Sequence, residues 1–164
     1  MNLDVLDERL AEDDANPALV CVMAANNETG VLQPIQDVVR IARSHGALVL
    51  CDAVQAVGKI NVDFDDWNVD YLALSAHKIG GPQGVGALVC RKGTKLNSLV
   101  TGGGQERGMR AGTENVPGIV GFGVAAEIVA KKWRGTMELL ESYRDQLELE
   151  VCRISPGSEI FSAK

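Results

Sequence analysis

Val69-Asp70-Tyr71-Leu72-Ala73-Leu74-Ser75-Ala76-His77-Lys78 (69–78) is an apolar run that stops at a hydroxyl, an imidazole and an amine. Residues 69–75 read as a strand, and the polar residues follow its last apolar position directly. Two earlier runs end the same way. Ala18–Ala25 (ALVCVMAA) is continuous and apolar, as a buried parallel strand is, and the turn residues Asn26-Asn27-Glu28-Thr29-Gly30 break it. Ala47–Cys51 (ALVLC) is the next strand, with Asp52 after its last apolar residue. Between these two, Pro34 opens a helix whose apolar face is Val38, Val39, Ile41 and Ala42, and His45-Gly46 ends it. The loop Gly80–Gly86 leads into a fourth strand, Ala87–Arg91. Strands alternating with helices predict an α/β fold, a mainly parallel sheet flanked by helices.

The second half is organised differently. Residues 99–115 are too glycine-rich for a regular element and hold Gln105, Glu106, Arg107 and Arg110. Pro117 starts a predicted helix to about Trp133. A second is expected from about Thr136 to Cys152, with Leu139, Leu140, Tyr143, Leu147 and Val151 at helical spacing.

Composition narrows the function classes. The chain has 164 residues, 46% hydrophobic and 23% charged, which suits one globular domain and excludes a disordered chain. Glycine is abundant at 18 residues, in clusters without a collagen period. The net charge of −6 (16 basic against 22 acidic residues) argues against general nucleic-acid or anionic-membrane binding. No segment reaches the ~18 apolar residues of a membrane span. The acidic N-terminal segment lacks the basic-then-apolar layout of a signal peptide, so a cytoplasmic location is expected. Cys21, Cys51, Cys90 and Cys152 form no C-x-x-C pair, and each is expected to be reduced and buried. No metal site is assigned.

In open α/β sheets ligands bind beyond the carboxyl ends of the strands. Parallel neighbours would bring Asn27, Asp52 with Gln55, and Ser75, His77 and Lys78 to one rim. A lysine there can form a Schiff base with a carbonyl compound. An aspartate facing a pyridine nitrogen keeps it protonated, which makes pyridoxal 5'-phosphate (PLP) an electron sink. Asn27 and Gln55 could sit near its phenolic oxygen, and Ser75 and His77 could donate to its phosphate. Taken singly, these residues have blander explanations. Asp52 is a cap or loop carboxylate, Lys78 a surface lysine, His77 a structural histidine, and Gly80–Gly86 lacks the established phosphate-loop spacings. Arg107 and Arg110 could bind an anion or pair with Glu106 and Glu114. The combination is what carries weight.

That combination resembles a known family. ANNETG (25–30), DAVQAVGK (52–59), LSAHKIGGPQGVG (74–86) and GGGQERGMRAGTENVP (102–117) are similar, in order and spacing, to cysteine desulfurases of the class V aminotransferases, fold-type I PLP enzymes. The likeness runs over roughly residues 18–130. It implies that Lys78 holds PLP covalently and moves protons, with His77 assisting as a proton carrier. It implies Asp52 at the pyridine nitrogen, Asn27 and Gln55 near the phenolic oxygen, and Ser75 and His77 at the phosphate. Thr113 would reach the phosphate of a neighbouring subunit, making a homodimer. The implied substrate is L-cysteine, converted to L-alanine and an enzyme persulfide. That persulfide passes to a sulfur-acceptor or scaffold protein for iron–sulfur cluster assembly.

The chain departs from the pattern in places. Gly80 and Gln83 stand where the family often has Tyr and Lys, which should alter loop packing and surface charge only. The family's upstream phosphate loop, ring-stacking histidine and downstream cysteine loop have no counterpart, so none of the four cysteines is assigned the persulfide. Residues 1–152 are therefore expected to be an incomplete PLP-transferase large domain, and 153–164 the start of a connection to a further domain. Such a piece is expected to be inactive alone. Rivals are selenocysteine lyase or another class V aminotransferase, and a non-catalytic folded remnant or binding partner. A nucleotide-binding domain built on Gly80–Gly86 leaves Asn27, Asp52 and Gln55 unexplained.

Overall fold

The apolar runs of the sequence pair into one four-stranded sheet in the computed structural model, which describes residues 1–12 and 18–161. The elements in chain order are α1 (Leu3–Glu12), β1 (Leu19–Met23), α2 (Ile35–Ser44), β2 (Leu48–Asp52), α3 (Phe64–Trp67) and β3 (Tyr71–Ser75). A 3-10 turn (Ala76–Ile79), β4 (Gly86–Cys90), a second 3-10 turn (Gln105–Gly108) and α4 (Val116–Ile154) follow. The strand order is β1-β2-β3-β4. The first three strands are parallel and β4 runs antiparallel to β3. The short link from β3 to β4 explains the reversal, since a parallel return needs a crossover of a dozen residues or more. The sheet is mainly parallel, as the sequence predicts.

One face of the sheet forms the core. Val20, Val22, Val49, Cys51 and Leu72 pack against Ile35, Val38, Val39 and Ala42 of α2. Full burial of Val38 and Val49 contributes about 2 kcal/mol each. α1 lies on α2, where Leu3, Leu6 and Leu10 pack against the same core and Asp7 meets His45 Nε2 at 2.7 Å. A buried carboxylate ties β2 to the entry of β3: Asp70 accepts from Val49 N–H at 2.7 Å and from Arg43 at 2.9 Å.

Two expectations are corrected. Among the four cysteines only Cys51 is buried; Cys21, Cys90 and Cys152 are exposed. The register places Cys21, Leu50, Tyr71 and Cys90 in one row, and residues alternate faces along a strand. Cys51 is on the face that α2 covers, while Cys21 and Cys90 sit on edge strands on the opposite face. The two helices predicted over 117–152 are one 39-residue helix, α4. Gly135 costs about 1 kcal/mol relative to alanine, too little to stop it. Thr136 donates its Oγ1–H back to Lys132 O at 3.1 Å, the hydroxyl being satisfied inside a continuing helix rather than capping a new one. The expected boundary at 152/153 therefore falls inside the last turn of α4, and residues 162–164 of the expected connection lie outside the described residues.

The N-terminal part of α4 reaches the site. Asn115 caps it, accepting from Gly118 N–H at 3.2 Å. Gly118, Gly121 and Ala125 form a small-residue stripe against Val85, Pro82 and Gly81 of the loop that follows the first 3-10 turn. A Cβ at Gly121 would lie 2.6 Å from Pro82 Cγ, so glycine lets the helix seat directly on the loop. No helix among the described residues is long and apolar enough to cross a membrane.

Candidate active site

The carboxyl ends of β1, β2 and β3 lie side by side, so the residues that terminate them share a rim. Asp52 pairs in register with Met23 of β1 and Ala73 of β3. Asn27 follows four residues beyond Met23, and Ser75 two beyond Ala73. The chain then turns tightly through the 3-10 segment that carries His77 and Lys78. Gly80, at φ +82°, closes that segment in the left-handed region where a side chain is strained. A tyrosine there would pay for that conformation; this chain has glycine. Gly86 lets β4 come close beside Ser75: a Cβ there would sit 2.7 Å from Leu74 O.

Asp52 is half-buried, and its Oδ1 accepts from Val54 N–H at 2.9 Å. Its charge adds to burial in pushing the neighbouring Cys51 thiol up to about 12. Lys78 is exposed, and among the described residues neither it nor Asp52 joins an ion pair. Ser75 Oγ and His77 Nδ1 share a hydrogen bond of 2.8 Å. Gln55, on the turn after β2, accepts from Lys59 Nζ through both its Oε1 and its carbonyl, each at 3.2 Å. Asn27 is exposed, donating to Glu28 at 2.7 Å. Thr113 stands apart: it is exposed in the loop before α4 and bonds to none of the rim residues.

The rim thus offers a free amine, a half-buried carboxylate with no cation, and a hydroxyl–imidazole pair. Asp52 accepts from Val54 N–H and has no cationic partner among the described residues, which leaves its outer oxygen able to accept from a cationic group on a ligand. A protonated ring nitrogen would supply the partner. The sequence reading missed Lys59, although its i, i+4 spacing from Gln55 was visible in DAVQAVGK. Burial first, and then the Lys78 charge, push the Lys59 ammonium below its usual range.

The sequence model of class-V aminotransferases matches residues 2–156, nearly the whole chain. The chain belongs to the aminotransferase class-V family. Curated relatives in that family include a cysteine desulfurase of Bradyrhizobium diazoefficiens, 51% identical over 83% of this chain and 35% of the relative. A cysteine desulfurase of Nostoc sp. is 45% identical over 94% of this chain and 39% of the relative. Among solved structures, a NifS-like protein superposes with TM-score 0.88 at 42% identity, covering 94% of this chain and 42% of that one. A NifS-like protein from Rickettsia africae gives TM-score 0.84 at 35% identity, covering 90% and 42%. This class-V chain therefore spans well under half the length of the proteins it matches. Class-V enzymes use PLP, and the donor set at this rim fits that coenzyme.

Proposed function

We propose that the chain is the central part of the large domain of a PLP-dependent cysteine desulfurase. The observation that carries this is that Lys78, just beyond β3, and the half-buried Asp52, at the end of the adjacent β2, lie on neighbouring strand ends with neither in an ion pair among the described residues. PLP, when bound, supplies an electron sink for charge developing at a substrate α-carbon. Lys78 would hold the coenzyme and, once released, move a proton at that carbon. Asp52 would keep the proton on the ring nitrogen. Ser75 and His77, already hydrogen-bonded to each other, would turn their donors to the phosphate, and His77 would assist proton movement. Asn27 and Gln55 would hold the phenolic side.

The substrate in this proposal is L-cysteine, the products L-alanine and a persulfide. None of the four cysteines is assigned that persulfide: Cys21 and Cys90 lie in strands, Cys152 in a helix, and the raised Cys51 thiol is buried. A persulfide carrier needs an accessible thiolate that can travel to the substrate. The homodimer, with Thr113 reaching a neighbour's phosphate, belongs to the proposal, as do the sulfur acceptor, iron–sulfur cluster assembly and the role of 1–152 as part of a large domain. Four free cysteines are consistent with a reducing compartment such as the cytoplasm.

The test is PLP titration of the chain, borohydride reduction and peptide mapping. Modification concentrated at Lys78, competed by L-cysteine and lost in Lys78→Ala, supports the proposal. Modification scattered over Lys92, Lys95, Lys131 and Lys132 overturns it for this chain.

A further inference from the structure

Lys59 lies in the turn after β2, at the i+4 position from Gln55. Its ammonium donates to Gln55 Oε1 and to the Gln55 carbonyl, both at 3.2 Å. An amide side chain has one acceptor oxygen and one donor nitrogen. With Oε1 engaged by Lys59, the Gln55 N–H groups are the ones left to serve a ligand. The turn is held where this matters: Gly58, at φ +78°, lies so close to α4 and the first 3-10 turn that a Cβ there would be 3.0 Å from Val129 and 3.5 Å from Ile79. Ile79 is the residue after Lys78, so the segment bearing Lys59 is packed against the segment bearing the proposed coenzyme lysine. The Lys78 charge, after burial, lowers the Lys59 ammonium, in agreement with that packing.

We propose that Lys59 is a positioning residue that fixes the Gln55 amide with its N–H groups facing the phenolic oxygen of PLP. The assignment rests on the proposed function above. Donation to that oxygen favours its anionic form, and so favours loss of the proton shared between the oxygen and the Lys78–coenzyme linkage. Lys59 acts through Gln55 rather than touching the coenzyme.

The experiment follows the visible absorption band of the PLP-loaded chain against pH in the wild type, Lys59→Met, Lys59→Arg, Gln55→Leu and the Lys59→Met/Gln55→Leu double variant. Borohydride mapping is run in parallel. Lys59→Met should raise the midpoint by about one pH unit. Gln55→Leu should do the same, and the double variant should go no further than either. Lys59→Arg keeps a donor for Oε1 and should titrate near wild type, which separates positioning from loss of fold. An unchanged midpoint in Lys59→Met, with Lys78 still the labelled residue, overturns the Lys59 role and leaves the proposed function standing. A shift that adds in full to that of Gln55→Leu also overturns it, because Lys59 would then act by its charge on Lys78 directly. Failure of the wild type to label at Lys78 removes both proposals together.

Discussion

Two glycines in α4 allow a test in which identical substitutions should differ sharply in effect. A Cβ at Gly123 would meet nothing within 4 Å, whereas one at Gly121 would lie 2.6 Å from Pro82 Cγ and 3.0 Å from its Cδ. Both sites are interior to the helix, so Gly→Ala gains about 1 kcal/mol of propensity at each. Ordinary carbon contacts lie near 3.5–4.0 Å, so Gly121→Ala must push helix and loop apart by roughly 1 Å. Such overpacking costs about 1–3 kcal/mol. Gly123→Ala should therefore stabilise by about 1 kcal/mol, and Gly121→Ala should fall below it by about 1–3 kcal/mol. For a domain of this size the two Tm values should differ by roughly 2–12 °C. Thermal or urea unfolding of both variants reads the difference, and PLP trapping adds a functional readout. Pro82 follows Lys78 by four residues, so Gly121→Ala should also spread the label away from Lys78. Equal stabilisation by both variants would refute the seating of α4 on the 80–86 loop.

Two further outcomes follow from the core. The Cys51 thiol is raised from 9.0 to about 12 by burial and the Asp52 charge. Between those values the unfolded chain releases a proton that the folded chain keeps, so the Cys51 contribution to stability is intact below pH 9 and is lost above it at about 1.4 kcal/mol per pH unit. Urea unfolding on both sides of pH 9 should show that slope in the wild type minus Cys51→Ala difference, and a flat difference would contradict it. Asp70→Ala leaves the Val49 N–H buried without an acceptor and removes a charged partner from Arg43, costing about 2–4 kcal/mol. Asp70→Asn keeps one acceptor and should lose about half as much in the same assay.

The parallel strands were legible because 18–25, 47–51 and 69–75 are short, mostly apolar runs bounded by polar residues, although in β1 only the face toward α2 is buried. The rim was legible because polar residues follow each run directly. Helix α1 was not, since its acidic residues obscure the spacing of Leu3, Leu6 and Leu10. The break expected near Gly135 treated one costly residue as a stop, although the helix on either side propagates through it. Cysteine burial was misjudged for a different reason: an apolar run predicts a strand, but exposure depends on which layer covers which face. Cys51 has α2 above it, while Cys21 and Cys90 do not. Lys59 escaped notice because a lysine beside a glycine in a turn is ordinary surface until its partner is seen.

Helix α4 is anchored near one end only. Gly118, Gly121 and Ala125 grip the loop behind Lys78, whereas Leu139, Leu140, Tyr143 and Leu147 are about half exposed or more. Val129 still packs on the Gly58 turn, and from there to Ile154 the helix rises about 38 Å at ~1.5 Å per residue. Geometrically that length is a lever arm: a tilt of about 6° at Val129 would displace the far end by about 4 Å, given that rise.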